Sequence, residues 1–167
     1  MENSEANPES TQATILQILD GILDPEIPVI SIVELGMVRQ AWVEDDKIHV
    51  SIAPTFSGCP ALELIQEQIR SSLNEAGFPT IDIEIVYSPP WSSDDISPPG
   101  RQKLKSFGIS PPVYHQGLIQ IALQEPVVCP YCDSTDTTLK NSFGSTRCRA
   151  IYYCNHCKQP FEQFKPI

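Results

Sequence analysis

The chain has 167 residues, 41% of them apolar, which is enough for a packed core in one ordinary domain or a small domain with an appendage. Its 21 acidic and 11 basic side chains give a formal charge of −10, and a field of that sign repels a phosphate backbone, so no nucleic-acid partner is expected. No stretch reaches the ~20 apolar residues that cross a bilayer, and the opening MENSEANPES lacks the basic and apolar regions of a secretory signal. The expectation is a cytoplasmic protein with no membrane partner, whose thiols stay reduced. Charge is also uneven. Residues 1–128 carry 18 acids and 6 bases, whereas residues 129–167 carry 3 acids and 5 bases.

Residues 1–10 read as a disordered lead. From Thr11, a plausible N-cap, Ile15, Leu16, Ile18, Leu19, Ile22 and Leu23 recur at helical spacing until Gly21 and Asp24-Pro25 end the helix. Asp24-Pro25-Glu26-Ile27-Pro28 is expected as an ordered loop, because two prolines remove donors and fix φ. Met37–Glu44 and Lys47–Ala53 then form a hairpin around the acidic turn Glu44-Asp45-Asp46, with Ile48, Val50 and Ile52 alternating against His49 and Ser51. A second helix is predicted over Pro60–Ala76, stopped by Gly77, and a third strand over Ile81–Ile85. The order α-β-β-α-β describes an α+β fold, a small sheet with helices packed on one face, filling residues 11–107 with a short last helix near Pro98–Phe107. Residues 108–125 have little periodicity and contain Pro111-Pro112, so a linker is expected there.

Five of the six cysteines crowd into the remaining segment, 126–167. Cys129-Pro130-Tyr131-Cys132 and Cys154-Asn155-His156-Cys157 are separated by twenty-one residues rich in Thr, Tyr and Phe. A Cys-x-x-Cys pair on a tight turn aims two thiolates at one point, and two such knuckles joined by a hairpin close a tetrahedral sulfur cage. This is the pattern of a zinc ribbon, with Cys129, Cys132, Cys154 and Cys157 as ligands of a structural Zn²⁺; tetrathiolate iron uses the same spacing. A module of this size has too little core to fold alone, so the ion supplies the missing free energy. Cys148 is surplus, either a buried strand cysteine or a replacement ligand, and His156 sits within a knuckle without being needed as a ligand.

Cys59 is the only cysteine of the first 128 residues. At the start of the predicted helix, free amides and the positive dipole end would favour its thiolate, while Gly58 gives close backbone approach and Thr55 and Ser57 supply hydroxyls. The competing reading is a buried cysteine packed behind a capped helix. His49 is the nearest candidate base, with nothing in the sequence that requires it. Asp24 and Glu26 place two carboxylates on rigid backbone, as a metal or proton site or simply as a turn.

The run Asp24-Pro25-Glu26-Ile27-Pro28, Glu34-Leu35-Gly36-Met37-Val38 and Thr55-Phe56-Ser57-Gly58-Cys59-Pro60 resembles the metal–sulfur cluster assembly proteins of the SufT type. The cysteine module with Phe143-Gly144-Ser145-Thr146, Pro160-Phe161 and Phe164-Lys165 resembles the PaaD (PaaJ) family, components of the bacterial phenylacetyl-CoA epoxidase, the multicomponent monooxygenase of phenylacetate degradation. The resemblance implies a compact α+β domain whose Cys59 handles iron or an iron–sulfur cluster transiently, with Asp24, Glu26 and Thr55 lining the same pocket. It further implies an accessory subunit, not an enzyme in its own right, with the epoxidase reductase or di-iron oxygenase as client. The chain has no Glu-x-x-His carboxylate set and no Gly-rich dinucleotide fingerprint, so it does not run the oxygenation itself. A bound cluster needs more than one thiolate, which points to a homodimer or to ligands from the client. The alternatives are a structural or regulatory component of the oxygenase and, against the electrostatics, a zinc-ribbon nucleic-acid binder.

Overall fold

The computed structural model describes residues 8–167. It divides into two compact units, one formed by the described residues up to Pro54 together with Gly58–Pro90, the other by Thr55–Ser57 with Trp91–Ile167. The first seven residues of the expected disordered lead lie outside the described residues; Pro8–Ser10 are helical.

In the first unit, α1 spans Pro8–Asp20, three residues earlier than expected, so Thr11 lies within the helix and does not cap it. Pro8 suits this start, because the first N–H groups of a helix have no intrahelical partner to lose. Ile15 and Leu19 are fully buried, whereas Leu16 on the same helix is exposed. Of the expected Asp24–Pro28 loop only Pro25 and Glu26 form a turn, and strands flank it. Leu23–Asp24 (β1) and Ile27–Ser31 (β2) pair antiparallel as a two-stranded ribbon. Such a ribbon leaves one side of each strand unpaired, and that is where a proline without an N–H is tolerated.

Val38–Glu44 (β3) and Lys47–Ile52 (β4) form the predicted hairpin, and Asp45 and Asp46 both take positive φ, the geometry of a two-residue type I′ turn. Leu62–Glu75 (α2) crosses over to Ile81–Ile85 (β5), which lies parallel to β4, so the sheet order is β3-β4-β5. Ile48, Val50 and Ile52 from the central strand and Ile65, Ile69 and Leu73 from α2 are buried, fixing the apolar side of the layer.

The second unit opens with a 3-10 turn at Ser93–Asp95, closed by a capping box on Ser92, and with α3 (Pro98–Ser106), capped by Ser97. Ile109–Ser110 (β6), a one-turn helix α4 (Ile119–Ala122), Thr137–Asn141 (β7), Arg149–Cys154 (β8) and Pro160–Phe164 (β9) follow. The sheet order is β6-β9-β8-β7, with β6 parallel to β9 and the other pairs antiparallel. Segment 108–125 is therefore not a bare linker, since it contributes a strand to the ribbon sheet. Trp91, Ile96, Leu104, Ile109 and Phe164 are all buried, and the Trp91 and Phe164 rings lie 5.8 Å apart.

The short helix expected near Pro98–Phe107 is α3, whereas periodicity gave no sign of the strand at Ile109–Ser110, where prolines leave few backbone donors and a side chain replaces them. Arg101, 8% exposed, donates from Nε to the Ile96 carbonyl at 3.2 Å, from Nη2 to the Ser93 carbonyl at 2.6 Å and from Nη1 to the Pro112 carbonyl. The Tyr114 ring covers the guanidinium at 3.7 Å. Burial lowers the Arg101 pKa, opposed by the charges of Tyr114 and Asp94. Replacing Arg101 by Leu leaves three carbonyls without their donors and should cost about 3 kcal/mol. The measure is urea unfolding together with proteolysis, with cleavage expected first between residues 91 and 115. Lysine at this position should not rescue, because its point charge cannot serve three acceptors in one plane.

A second charged anchor shapes the β7–β8 loop. Glu162 accepts from the Arg149 guanidinium at 2.8 Å, from the Ser145 backbone N–H at 2.6 Å and from the Ser145 hydroxyl at 3.0 Å. A Cβ on Gly144 would stand 2.6 Å from that carboxylate, so the close approach needs glycine. Burial raises the Glu162 pKa, but the Ser145 and Arg149 hydrogen bonds outweigh it and hold the group below its usual 4.5. The stability it contributes is thus present above pH 4.5 and lost as pH falls through the lower folded value. Glu162→Gln should lower stability by about 2 kcal/mol at neutral pH and flatten the acid limb of a melting-temperature profile. An unchanged acid limb would show that another group sets it.

Candidate functional site

The ribbon cysteines converge. Cys129 and Cys154 are fully buried and, with Phe161, Val127 and Tyr152, form a small apolar cluster, while Cys132 and Cys157 stand at its half-buried rim. Hydrogen bonds shape each knuckle: the Asp133 N–H donates to the Cys129 carbonyl and the Lys158 N–H to the Cys154 carbonyl. Asp133 and Lys158 both adopt the left-handed conformation that turns the chain back after the second cysteine. All four sulfurs lie within 4.8 Å of one another, with Cys129 to Cys157 at 3.7 Å and Cys132 to Cys154 at 3.6 Å. Four thiolates at ~2.3 Å from a tetrahedral Zn²⁺ stand ~3.8 Å apart, so the observed spacing fits the ion with little rearrangement.

The four thiols hold their protons unevenly. Burial opposes ionisation of Cys154, but the backbone N–H groups of Cys157 and His156 and the neighbouring sulfurs bring it down to about 6. Burial and the adjoining thiols push Cys157 up to about 12. Cys129, Cys132, Cys154 and Cys157 would hold zinc as thiolates, and with all four positions filled by protein the ion would serve structure, with no position for substrate. His156 is exposed. Cys148 is buried outside the cluster, its sulfur 3.0 Å from the Thr146 hydroxyl.

Cys59 is placed differently from the sequence expectation. α2 begins at Leu62 with Ala61 as its N-cap, so Cys59 precedes the cap and does not sit in the first turn. The amide of Leu62 is spent on the Cys59 carbonyl at 3.3 Å. Propensity favoured Pro60 as the helix start, but Pro60 and Ala61 close a turn instead. The thiol residue is half-buried, neither sealed in the core nor fully exposed. Asp24 is buried and its Oδ1 accepts the N–H groups of Glu26 and Ile27 at 2.8 and 2.9 Å, closing the β1–β2 turn. Glu26 is half-buried beside it. Thr55, also half-buried, groups with the second unit, whereas Asp24, Glu26 and Cys59 belong to the first. The His49 ring stacks on Trp42 at 5.0 Å, and its Nδ1 lies 3.5 Å from Asp82, so it is committed elsewhere than to Cys59.

One constellation escaped the sequence entirely. Ser93, Asp94 and His115 meet, with the Ser93 hydroxyl 3.2 Å from His115 Nε2 and Asp94 Oδ2 3.7 Å from Nδ1. The likeness to a nucleophilic triad fails on the proton. The Gly117 N–H donates to Nδ1 at 3.1 Å, which puts the ring proton on Nε2, facing the Ile167 carbonyl at 3.2 Å and the serine it would have to deprotonate. Ser93 is also fully buried. This is a structural knot tying residues 92–94, 115–117 and 167, and a histidine 21 residues beyond the adjacent Ser93-Asp94 pair gave no motif to find.

Comparison with known proteins agrees with this geometry. Residues 12–79 match the family described as iron-sulfur cluster assembly protein, and residues 117–165 the PaaD zinc beta ribbon domain. A subunit of the "Putative 1,2-phenylacetyl-CoA epoxidase" of Escherichia coli (strain K12) is 40% identical over 92% of each chain. The chain belongs to the PaaD family of phenylacetyl-CoA epoxidase subunits. This chain thus joins a match to iron-sulfur cluster assembly proteins and a zinc ribbon in one polypeptide. The Fe-S protein maturation auxiliary factor YitW of Bacillus subtilis is 31% identical over 53% of this chain and 88% of its own length. A domain of unknown function from Bacillus anthracis superposes with a TM-score of 0.54 at 25% identity, covering 58% of this chain and 93% of that one. The Bacillus anthracis domain shares the fold of the part of this chain that it covers. Among the described residues no helix is long and apolar enough to cross a membrane.

Two measurements test the cage. Chelation of the metal should unfold residues 126–167 cooperatively, seen as loss of amide protection there with the helical signal of α1 and α2 retained. Cys148→Ser should keep one zinc per chain, whereas Cys132→Ser should lose it; loss of zinc in Cys148→Ser would make Cys148 a ligand.

Proposed function

We propose that this protein is a maturation component of a bacterial phenylacetyl-CoA epoxidase system, non-catalytic itself, which assists assembly of the iron–sulfur or di-iron centre of a partner during phenylacetate catabolism. In this reading Cys59 transiently holds iron or a cluster as cargo, with Asp24, Glu26 and Thr55 as the other candidate residues for handling it, and the zinc ribbon docks the client. The observation that carries it is a division of sulfur chemistry within one chain. Four cysteines close on one point and leave no open ligand position, while Cys59 stands half-buried on a loop outside that cage, in the module shared with iron–sulfur maturation factors.

Soft thiolate is the protein ligand suited to iron and iron–sulfur clusters, and a partly accessible one exchanges its cargo where a sealed one cannot. A single thiolate does not complete a cluster, so the remaining ligands come from a second copy or from the client, either the reductase or the di-iron oxygenase. Reduced thiols require a reducing compartment, which fits an activity in the cytoplasm.

Anaerobic reconstitution with iron and sulfide tests this reading. Wild type should take up iron and develop visible absorbance, and Cys59→Ser should fall to background while keeping its zinc. Equal iron content in the two proteins would remove Cys59 from the role and leave a structural component.

A further inference from the structure

The ribbon carries more positive charge than its own fold uses. Each of its three acids is engaged: Asp133 with Lys105, Asp136 with Asn155, and Glu162 with Arg149. Of its five bases only Arg149 has a carboxylate partner among the described residues; Lys140, Arg147, Lys158 and Lys165 have none. Two of these four cations gather around the β7–β8 loop. Lys165 donates from Nζ to the Arg147 carbonyl at 2.8 Å, which holds its ammonium 5.0 Å from the centre of the Phe143 ring. The Arg147 guanidinium lies 5.6 Å from the centre of the Phe56 ring. Phe143 is 64% exposed and Phe56 38%. Such rings, left in water with cations fixed beside them, are what interfaces use, because aromatic and arginine side chains anchor a contact and charge orients it.

We propose that Phe143, Arg147 and Lys165, together with Phe56, form the docking surface for an acidic segment of a partner polypeptide. Charge complementarity decides the occupant. Arg147 and Lys165, two cations without a carboxylate partner at one loop, attract a local run of carboxylates, while the 18 acids of residues 1–128 repel the extended polyanion of a nucleic acid. The surface deepens the maturation reading, on which the identity of the partner rests: Phe56 precedes Cys59 by three residues in the chain, so a client held here engages the loop that leads to the reactive thiol.

The test uses the full-length zinc-loaded protein, isotopically labelled, titrated with a short polyglutamate peptide no longer than the patch and with a long single-stranded oligonucleotide. Polyglutamate should shift the amide signals of Phe143, Arg147 and Lys165, and more weakly at higher salt. The double variant R147E/K165E should weaken binding by about tenfold or more, with zinc content and melting temperature unchanged. Phe143→Ala should weaken binding severalfold while keeping the salt dependence. Undiminished binding by R147E/K165E, tighter binding of the oligonucleotide, or self-association that the double variant abolishes would each overturn the assignment of an acidic protein partner. The purified reductase and oxygenase components separate this proposal from the one it rests on. Loss of their binding by R147E/K165E with iron uptake at Cys59 intact supports the surface. Binding of polyglutamate at this surface by a wild type that binds neither component also supports it, and refutes the client named above.

Discussion

Convergence of four sulfurs on one point is the constraint on which the C-terminal half depends. The apolar cluster around them is small: Cys129, Cys154 and Phe161 are its buried members, with Val127 and Tyr152 packed against it. That much buried area cannot offset the conformational entropy of a segment this long. The knuckles at Cys129–Cys132 and Cys154–Cys157 hold the ends of the β7–β8–β9 meander in register, so ion and sheet specify each other.

The structure extends this module beyond its ion. Strand β6 joins β9 in parallel, and Arg101 on α3 binds three carbonyls of a proline-rich chain that cannot bond itself. The knot at His115 ties Ile167 to Ser92 and Ser93. The zinc ribbon therefore sits within a larger unit that begins at Trp91, with a core of its own at Trp91, Leu104 and Phe164. A module anchored in this way can present a charged, aromatic loop rigidly, and the Glu162 carboxylate beneath Gly144 and Ser145 sets that loop's shape.

The first unit shows the opposite economy, with ordinary apolar packing and a single thiol. Its hairpin, crossover helix and parallel third strand bury one face, while Trp42, His49 and Asp82 form a row across the other. Asp24 closes a turn with its carboxylate, which explains why an acidic residue is buried there without metal chemistry being needed to account for it. The ribbon sulfurs close on one point, whereas the thiol of the first unit is half-buried and outside that cluster.

Local chemistry was legible in the sequence. Alternation at Ile48, Val50 and Ile52, the 3.6-residue spacing of Ile65, Ile69 and Leu73, and two Cys-x-x-Cys knuckles each act over a few residues, so the α+β layer and the ligand set could be read without coordinates. Tertiary structure alone decided what is held by partners remote in the chain. Pro28 in a strand, the ordering of residues 108–112 by Arg101, the His115 knot and the cations left over around Phe143 all depend on bonds between distant segments. A hydrogen bond from an arginine to the carbonyl of a proline leaves no period and no motif, since its geometry exists only once the chain has folded.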